Sequence, residues 1–302
     1  MKRFIYLLSF FLFLPSLCVG SIFRLPGSDS TVIGHTQVIA VPYGFSITQL
    51  GQKYQVGYLE FYEANPGVDL KDLQRGMHLV VPTEYVLPAA PHRGIVINLA
   101  ELRLYYFLPH QSEVATYPVG VGRKREGSET PTIRSYIADK REHPVWRPTD
   151  ATRLEALGMG VQLPPEVEAG PENPLGDYAM RIGVTPYLIH GTNNPSGVGI
   201  RSSGGCLRMY PDDVADLFNI VRVGTPVTIV DQPVKVGWRH HQLYLEVHVP
   251  IDLKQARAQR VLREVTRLVM PQIKKYHAKV DWKKVLQIAN QQRGIPSAIG
   301  YR

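Results

Sequence analysis

One cysteine and one histidine lie in a setting that predicts nucleophilic catalysis. Cys206 belongs to the run Ser-Gly-Gly-Cys-Leu-Arg at 203–208, and His190 begins the run His-Gly-Thr 16 residues earlier. A thiol attacks a carbonyl carbon as the thiolate, so near neutral pH it needs a neighbouring base or cation. We therefore expect Cys206 to be the nucleophile and His190 to be its base. The only other cysteine, Cys18, lies near the N-terminus.

Glycines around this pair allow the chain to turn back and bring the two side chains together. They stand at 191, 197, 199, 204 and 205, and glycine adopts backbone conformations that other residues avoid. The stretch 204–206 can also turn its backbone N–H groups inward, as an oxyanion hole requires. Taken alone, each residue has a plain alternative: an inert buried cysteine, and a strand-end histidine bonded to backbone. CxxC and HxxxH patterns do not occur, so neither a metal nor a cofactor is expected.

The elements that position this pair are predicted to be mostly short strands. Apolar or alternating runs at 95–99, 102–107, 114–121, 178–182, 187–190 and 225–230 indicate strands, so His190 ends one of them. A helix is expected over 211–219, with Asp212 and Asp213 in its first turn. The fold class predicted for 94–232 is mainly β, in a β-sandwich-like catalytic domain.

The N-terminus has the layout of a secretory signal peptide over 1–20. A basic start is followed by an apolar run from Phe4 to Leu14, then Pro15 and a small residue at Gly20. A lipoprotein signal at Cys18 is the competing interpretation, but it requires a small residue where Leu17 stands. We expect cleavage after Gly20 and export to the periplasm.

The segment 37–82 is expected to form a small strand–helix–helix–strand unit. Ser46 is a plausible cap for the first helix, and Asn65-Pro66-Gly67 ends the second. This unit resembles a LysM module, with Phe45 where that family usually has a small or acidic residue. The resemblance implies binding of N-acetylglucosamine chains of peptidoglycan, with Gly44, Ser46 and Asn65 as glycan-binding residues. The alternative is a spacer that has lost sugar binding.

The remaining segments are a predicted linker and a basic extension. Pro88 and Pro91 indicate a linker over 83–93, and 233–302 is expected to be a strand plus a helical appendage. Its first helix is expected to end before Pro271, and Asp281 to cap a second. From 251 onward there are 12 Lys and Arg against 3 Asp and Glu, whereas the rest of the chain carries −1 of the total +8. Such a tail favours anionic partners, the alternative being a solvated helix face; for an exported chain no nucleic-acid partner is expected.

The residues around Cys206 resemble the L,D-transpeptidase signature of the YkuD domain, in its ErfK/YbiS branch. The resemblance spans about 94–234, and its matching residues are His190-Gly191-Thr192-Asn193, Gly197 to Arg201, Ser203-x-Gly205-Cys206-x-Arg208, Gly94 to Glu101, Tyr117 to Gly120, Glu129-Thr130-Pro131, Ala169-Gly170-Pro171 and Asn173 to Gly176. Many members have a histidine where this chain has Gly204, which leaves the choice of donor and acceptor open.

The resemblance implies a cysteine acyl-enzyme that acts on peptidoglycan. Cys206 would attack the diaminopimelate carbonyl of a tetrapeptide stem, with His190 as base and Gly191 orienting it through its carbonyl. D-alanine would leave, and the acyl group would pass to another diaminopimelate or to a lysine of an envelope lipoprotein. Carbapenems would inhibit covalently. Residues implied to bind substrate are Arg208, Ser203, Gly205, Thr192 and Asn193.

Two rival functions stay open at this stage. One is a cysteine L,D-carboxypeptidase or amidase of the same fold, in which water replaces the amine acceptor. The other is a non-catalytic scaffold that binds peptidoglycan, although the presence of both His190 and Cys206 argues against it.

Overall fold

A computed structural model describes residues 20–27, 30–249 and 257–302, which form 19 strands and six α-helices. The expected signal peptide therefore lies outside the described residues except for Gly20. In chain order the elements are β1 (Ser21–Arg24), β2 (Val32–Gly34), β3 (Gln37–Ala40), α1 (Ile47–Tyr54), α2 (Tyr58–Ala64), β4 (His78–Val81), β5 (Glu84–Val86), β6 (Gly94–Asn98), β7 (Arg103–Phe107), β8 (Glu113–Pro118), β9 (Val121–Gly122), β10 (Arg134–Glu142), α3 (Asp150–Gly158), β11 (Tyr178–Ile182), β12 (Leu188–His190), β13 (Arg201–Ser203), β14 (Leu207–Arg208), α4 (Pro211–Ile220), β15 (Pro226–Val230), β16 (Val234–Arg239), β17 (Gln242–Val247), α5 (Arg257–Tyr276), β18 (Lys279–Val280), α6 (Trp282–Gln291) and β19 (Ser297–Tyr301). Among the described residues no helix combines the length and the apolar character needed to cross a membrane.

The central sheet has nine strands in the order β1-β8-β7-β6-β15-β10-β11-β12-β14. Strand β10 joins its two halves: 134–136 pair with β15, and 137–142 pair with β11, with a bulge between Ile137 and Asp139. Such an irregularity bends a strand and increases its twist. Side chains from both halves, such as Ile97 and Leu104 on one side and Met180 and Leu207 on the other, share one buried core. The expected mainly β architecture is confirmed.

Helix α4 links β14 to β15 and covers the central core. Its buried face carries Val214, Leu217 and Phe218, and the Phe218 ring lies 4.8 Å from that of Tyr178 on β11. Pro211 stands at its start, with Asp212 and Asp213 in the first turn. The segment between β10 and β11 also contains α3, which the proline-rich sequence did not predict; Thr149 caps it by accepting from the N–H of Thr152.

The segment 37–82 has the strand–helix–helix–strand order that its sequence predicts. Strands β3 and β4 pair antiparallel, and α1 and α2 lie between them in the chain. Ser46 caps α1 with a reciprocal pair of hydrogen bonds to Gln49. Leu50, Phe61 and Leu79 are fully buried in a core belonging to this βααβ unit.

The βααβ unit is held on the central sheet by a buried ion pair. The Arg103 guanidinium donates from Nε and Nη2 to the two carboxylate oxygens of Glu60, both at 2.8 Å. It also donates to the Gln55 carbonyl at 2.8 Å and to Thr116 Oγ1 at 3.0 Å. Because Arg103 lies on β7 and Glu60 on α2, this bidentate pair sets how the unit is oriented on the sheet.

The predicted linker 83–93 is not a free connection. Its first residues form β5, which pairs with β2, and the whole of β5 is buried. Glu84 pairs with Arg239 on β16 at 2.5 Å. The linker prediction is therefore wrong for 84–86, because proline content reports on local backbone preference and not on burial by distant strands.

The C-terminal segment is more than a strand with helices attached. Strands β16, β17, β19 and β18 form an antiparallel sheet in that order, and its core also takes up Val261, Val265 and Val269 from α5 and Val285 and Ile288 from α6. Helix α5 continues past Pro271 to Tyr276, so the predicted end before this proline is wrong. Packing of both halves of α5 on the sheet outweighs the hydrogen bond that proline removes. Asp281 caps α6, as expected.

A buried charge cluster joins the three parts of the chain. The Lys235 ammonium lies 2.6 Å from Glu101 Oε2 and 2.9 Å from Glu246 Oε1. His248 contacts Glu246 at 2.7 Å and Glu63, on α2, at 2.9 Å. Burial alone lowers the pKa of His248, but Glu63 and Glu246 raise it to about 10. The imidazolium is therefore charged at neutral pH, and opposite charges alternate through the cluster.

Candidate active site

Two parallel strands bring the predicted nucleophile and base together. Strand β12 pairs with β14 so that Ile189 faces Leu207 and His190 faces Arg208. Ile189 and Leu207 are fully buried in the central core. Because side chains alternate along a strand, His190, Arg208 and Cys206 share the opposite face. Cys206 immediately precedes β14, which places it one residue from the position paired with Ile189.

His190 is held in one tautomer by a backbone carbonyl. Its Nδ1 lies 2.6 Å from the Gly191 oxygen, and since a carbonyl only accepts, Nδ1 carries the proton. Nε2 is then the basic nitrogen. Burial, together with the Arg208 charge, lowers the pKa of His190 to about 4, against an opposing effect of the Gly191 and Leu175 carbonyls. The imidazole is neutral at pH 7 and can accept a proton.

The Cys206 thiol is partly exposed and protonated at rest. Burial raises its pKa, while the Leu188 N–H and the Arg208 charge work in the opposite direction. The Leu188 nitrogen lies 3.4 Å from Sγ. Thiol and imidazole are therefore both neutral before reaction, which suits removal of the proton by His190 during attack rather than a preformed ion pair.

The loop before Cys206 is braced by two hydroxyl groups. Ser203 Oγ donates to the Cys206 carbonyl at 2.6 Å and accepts from the Gly205 N–H at 3.2 Å. Thr130 Oγ1 donates to the Gly205 carbonyl at 2.8 Å and accepts from the Gly122 N–H at 2.9 Å. Sequence reasoning missed the role of Thr130, although the Glu129-Thr130-Pro131 run was part of the resemblance. These bonds fix the backbone that carries the sulfur.

Glycine is required at 205 and tolerated, not required, at 204. Gly205 has φ +117°, and a Cβ there would lie 2.5 Å from the Tyr187 ring. Gly204 is exposed, and a Cβ there would meet nothing within 4 Å. A histidine side chain at 204, as in many family members, would therefore fit without displacing the loop.

Arg208 supplies the positive charge of the site. Its Nη1 lies 3.3 Å from Ser202 Oγ, and its Nε is buried without a hydrogen-bond partner among the described residues. A Cβ at Gly197 would lie 2.2 Å from Nη1, so glycine at 197 makes room for the guanidinium. The group can bind a carboxylate or stabilise a thiolate.

The structure separates the other predicted substrate-binding residues by role. Thr192 is buried, and its hydroxyl donates to the Asn194 carbonyl at 3.1 Å and accepts from the Asn194 N–H at 2.9 Å. Asn193 is exposed and donates to the Glu172 carbonyl at 3.1 Å. Thr192, like Ser203, therefore stabilises the loops around the site through backbone contacts.

The three residues expected to bind glycan lie apart from the catalytic pair, in the βααβ unit. The Ser46 side chain caps α1 by accepting a hydrogen bond from the backbone of that helix. Asn65 is buried, donates to the Phe61 and Val80 carbonyls at 2.9 and 2.8 Å, and accepts from the Val80 N–H. Gly44 is exposed with φ +74°. Two of the three side chains thus support the fold of the unit.

One group of described residues is compact enough to hold a metal ion: Glu101, Glu246 and His248. It lies in the buried charge cluster, where the Lys235 ammonium contacts both carboxylates. The lysine already supplies the positive charge that a metal would bring.

The neutral resting state predicts a distinctive pH dependence. In a chain that starts at Ser21, Cys206 is the only cysteine, so iodoacetamide alkylation reports on its thiolate. We expect the alkylation midpoint above the usual value of about 8.5, because burial raises the thiol pKa.

NMR titration of His190, assigned with His190→Gln, should give a midpoint near 4. As pH falls through that value the base is lost. An alkylation midpoint well below about 8.5, with a His190 midpoint above its usual value of about 6.5, would instead indicate a thiolate–imidazolium pair.

The chain is similar to known proteins over most of its length. Residues 92–229 match the model of the YkuD family, described as the L,D-transpeptidase catalytic domain. The chain is 38% identical over 306 residues to the probable L,D-transpeptidase ErfK/SrfK of Salmonella typhimurium, covering 98% of this chain and 97% of the relative. It is 39% identical over 261 residues to the probable L,D-transpeptidase YcfS of Escherichia coli, covering 83% and 82%.

A solved structure, the catalytic domain of the Enterococcus faecium L,D-transpeptidase acylated by ertapenem, aligns with 45% of this chain and 95% of its own, at 23% identity and a TM-score of 0.34. The two relatives match 98% and 83% of the chain, and the matched domain, residues 92–229, contains both His190 and Cys206. The chain therefore belongs to the L,D-transpeptidase family and is an enzyme of that family.

Proposed function

We propose that this enzyme is exported and transfers the acyl group of a peptidoglycan tetrapeptide stem to an amine through a Cys206 thioester. The observation that carries the proposal is the Cys206–His190 arrangement, in which the Gly191 carbonyl holds Nδ1–H and leaves Nε2 as the base. With His190 on β12 and Cys206 immediately before the neighbouring strand β14, a neutral thiol and a neutral imidazole suit general-base attack on a carbonyl.

In the acylation step Sγ attacks the carbonyl carbon that joins diaminopimelate to the terminal D-alanine. His190 Nε2 takes the thiol proton as the S–C bond forms, and the oxyanion is bound by the backbone N–H of Cys206. The C–N bond then breaks, and the imidazolium returns the proton to the nitrogen of the departing D-alanine. Arg208, whose Nε is without a partner in the described residues, binds a substrate carboxylate.

In the transfer step an amine attacks the thioester and loses a proton to His190. The C–S bond breaks, and the sulfur is protonated again. The acceptor is the side-chain amine of another diaminopimelate or a lysine of an envelope lipoprotein. Water in place of the amine would make the enzyme an L,D-carboxypeptidase.

The βααβ unit supports a peptidoglycan substrate. Its element order and its capped first helix suit a LysM module that binds glycan strands, and the unit docks on the catalytic domain through Arg103 and Glu60. Holding the enzyme on an insoluble polymer raises the local concentration of stems. An exported chain with a signal peptide at 1–20 would meet this polymer in the periplasm. Carbapenems, which acylate nucleophiles, are proposed as covalent inhibitors of Cys206.

The test is to incubate the chain starting at Ser21 with a disaccharide tetrapeptide and to record the masses of protein and products. We expect an adduct on Cys206 equal to the substrate less D-alanine, followed by a cross-linked dimer. His190→Gln is the matched variant and should accumulate neither. A tripeptide product without dimer would indicate hydrolysis. No adduct with the substrate or with a carbapenem would contradict the proposal and favour a non-catalytic scaffold.

A further inference from the structure

A cleft of about 320 Å³ lies between the βααβ unit and the loop that leads from His190 to Cys206. Ile47, Thr48 and Tyr58, from α1 and α2, line one side together with Lys71. The opposite side comes from the catalytic domain and includes Ser196 and other residues of 195–200. The cleft is therefore formed jointly by the two parts of the chain, and neither part alone has both walls.

The two walls are held at a fixed distance. The Leu59 N–H, in α2, donates to the Gly199 carbonyl at 3.0 Å. Gly199 has φ +74°, and a Cβ there would lie 2.3 Å from the Tyr58 nitrogen. This close backbone approach requires glycine. The loop that forms the domain-side wall is thus clamped against the first turn of α2.

One short turn lies between the cleft and the Arg208 guanidinium. The turn Pro195–Gly197 contributes Pro195 and Ser196 to the cleft. Its last residue, Gly197, lies against the guanidinium of Arg208, since a Cβ at 197 would meet Nη1 at 2.2 Å. A ligand that presses on the cleft side of this turn therefore acts on the same backbone that packs against the positive charge of the active site.

The lining has the chemistry that recognises an N-acetylated sugar. Partly exposed aliphatic side chains from both walls, Ile47 on one and Ile200 on the other, suit the methyl of an acetamido group and the C–H face of a pyranose. Tyr58 adds an aromatic ring with a polar end. The hydroxyls of Thr48 and Ser196 and the exposed Lys71 ammonium supply hydrogen bonds for sugar hydroxyls and the acetamido oxygen.

We propose that this cleft is a composite saccharide site, in which the catalytic loop contacts an N-acetylhexosamine of the same strand whose stem is acylated at Cys206. The inference rests on the proposed function, because that substrate carries the sugar and the stem on one molecule. This differs from simple tethering by the βααβ unit, because the bound sugar positions its own stem at Cys206. Stems that carry the sugar are therefore preferred as substrates over free peptide.

The test places a bulky tryptophan side chain in the cleft from each wall in turn. Thr48→Trp adds a ring from α1, and Ser196→Trp adds one from the catalytic loop. Val38→Trp is the matched control, since Val38 is 64% exposed on β3 and does not line the cleft. In a Cys206→Ala background, calorimetric titration with chitotetraose should show binding about tenfold weaker for both cleft variants and unchanged within about twofold for the control.

A second readout uses Cys206-intact protein and the rate ratio for disaccharide tetrapeptide over free tetrapeptide. This ratio should fall about tenfold in both cleft variants. Lys71→Ala, at an exposed position, should weaken chitotetraose binding about threefold and serves if a tryptophan variant fails to fold. Circular dichroism checks the fold of each.

Wild-type affinity retained in Ser196→Trp would overturn the inference, because the catalytic loop would then not be a wall of the site. Absence of chitotetraose binding by the wild-type cleft would overturn it as well. The two proposals can fail independently. An adduct on Cys206 without sugar binding would support acyl transfer and contradict the composite site. Sugar binding without an adduct would support the composite site and contradict acyl transfer.

Discussion

Replacement of Cys206 by alanine is expected to lower the rate of D-alanine release by at least about 10⁴-fold. The reason is that the reaction would lose the atom proposed to form the thioester, and the remaining loop and imidazole could only assist attack by water. The fold should be retained, because Sγ contacts little: the Leu188 N–H at 3.4 Å and the Pro186 carbonyl at 4.0 Å. Release of D-alanine from a disaccharide tetrapeptide measures the effect.

The matched control for this prediction is Cys206→Ser, which keeps a donor of similar size at the same position. Its hydroxyl ionises far less readily than a thiol, so its rate should also fall, although its thermal unfolding midpoint should equal that of the wild type. Chitotetraose binding should be unchanged in both variants. An alanine variant that keeps a rate within tenfold of the wild type would mean that Cys206 is not the nucleophile.

Replacement of Arg103 by alanine is expected to destabilise the protein by about 3–5 kcal/mol. The change leaves the Glu60 carboxylate buried without its bidentate partner, and it also removes donors from the Gln55 carbonyl and Thr116 Oγ1. Since Glu60 lies on α2 and Arg103 on the central sheet, the loss should fall on the docking of the βααβ unit. Urea denaturation measures the free energy, and hydrogen exchange of the α2 amides shows where it is lost.

A surface ion pair in the same chain provides the control. Arg267 and Glu264 on α5 contact at 2.6 Å, but Arg267 is 67% exposed, so solvent screens the pair. Arg267→Ala should leave the urea midpoint unchanged within error. If Arg103→Ala behaves like this control, or if α2 exchange stays slow, the buried pair does not hold the unit on the sheet.

Local patterns in the sequence predicted much of the secondary structure correctly. The strand–helix–helix–strand order of 37–82, the Ser46 and Asp281 caps and helix α4 all depend on neighbours within a few residues. The predictions that were wrong depend on distant contacts. Strand β5 exists because β2 pairs with it, and α5 passes through Pro271 because its apolar face packs on the C-terminal sheet.

The proposal of Cys206 as nucleophile and His190 as base follows from the sequence alone, because a lone cysteine and a histidine in a glycine-rich setting favour few other chemistries. The protonation states of Cys206 and His190 do not follow from the sequence. Burial and the Arg208 charge shift both pKa values in directions that only the packed structure shows. The roles of the Ser203 and Thr192 hydroxyls also do not follow from the sequence, because their backbone partners depend on how the loops fold. Docking of the βααβ unit joins Glu60 to Arg103 across 43 residues. Only the tertiary structure decides such a pairing. The burial of an ionisable group and its contacts with distant residues depend on segments that are far apart in the chain.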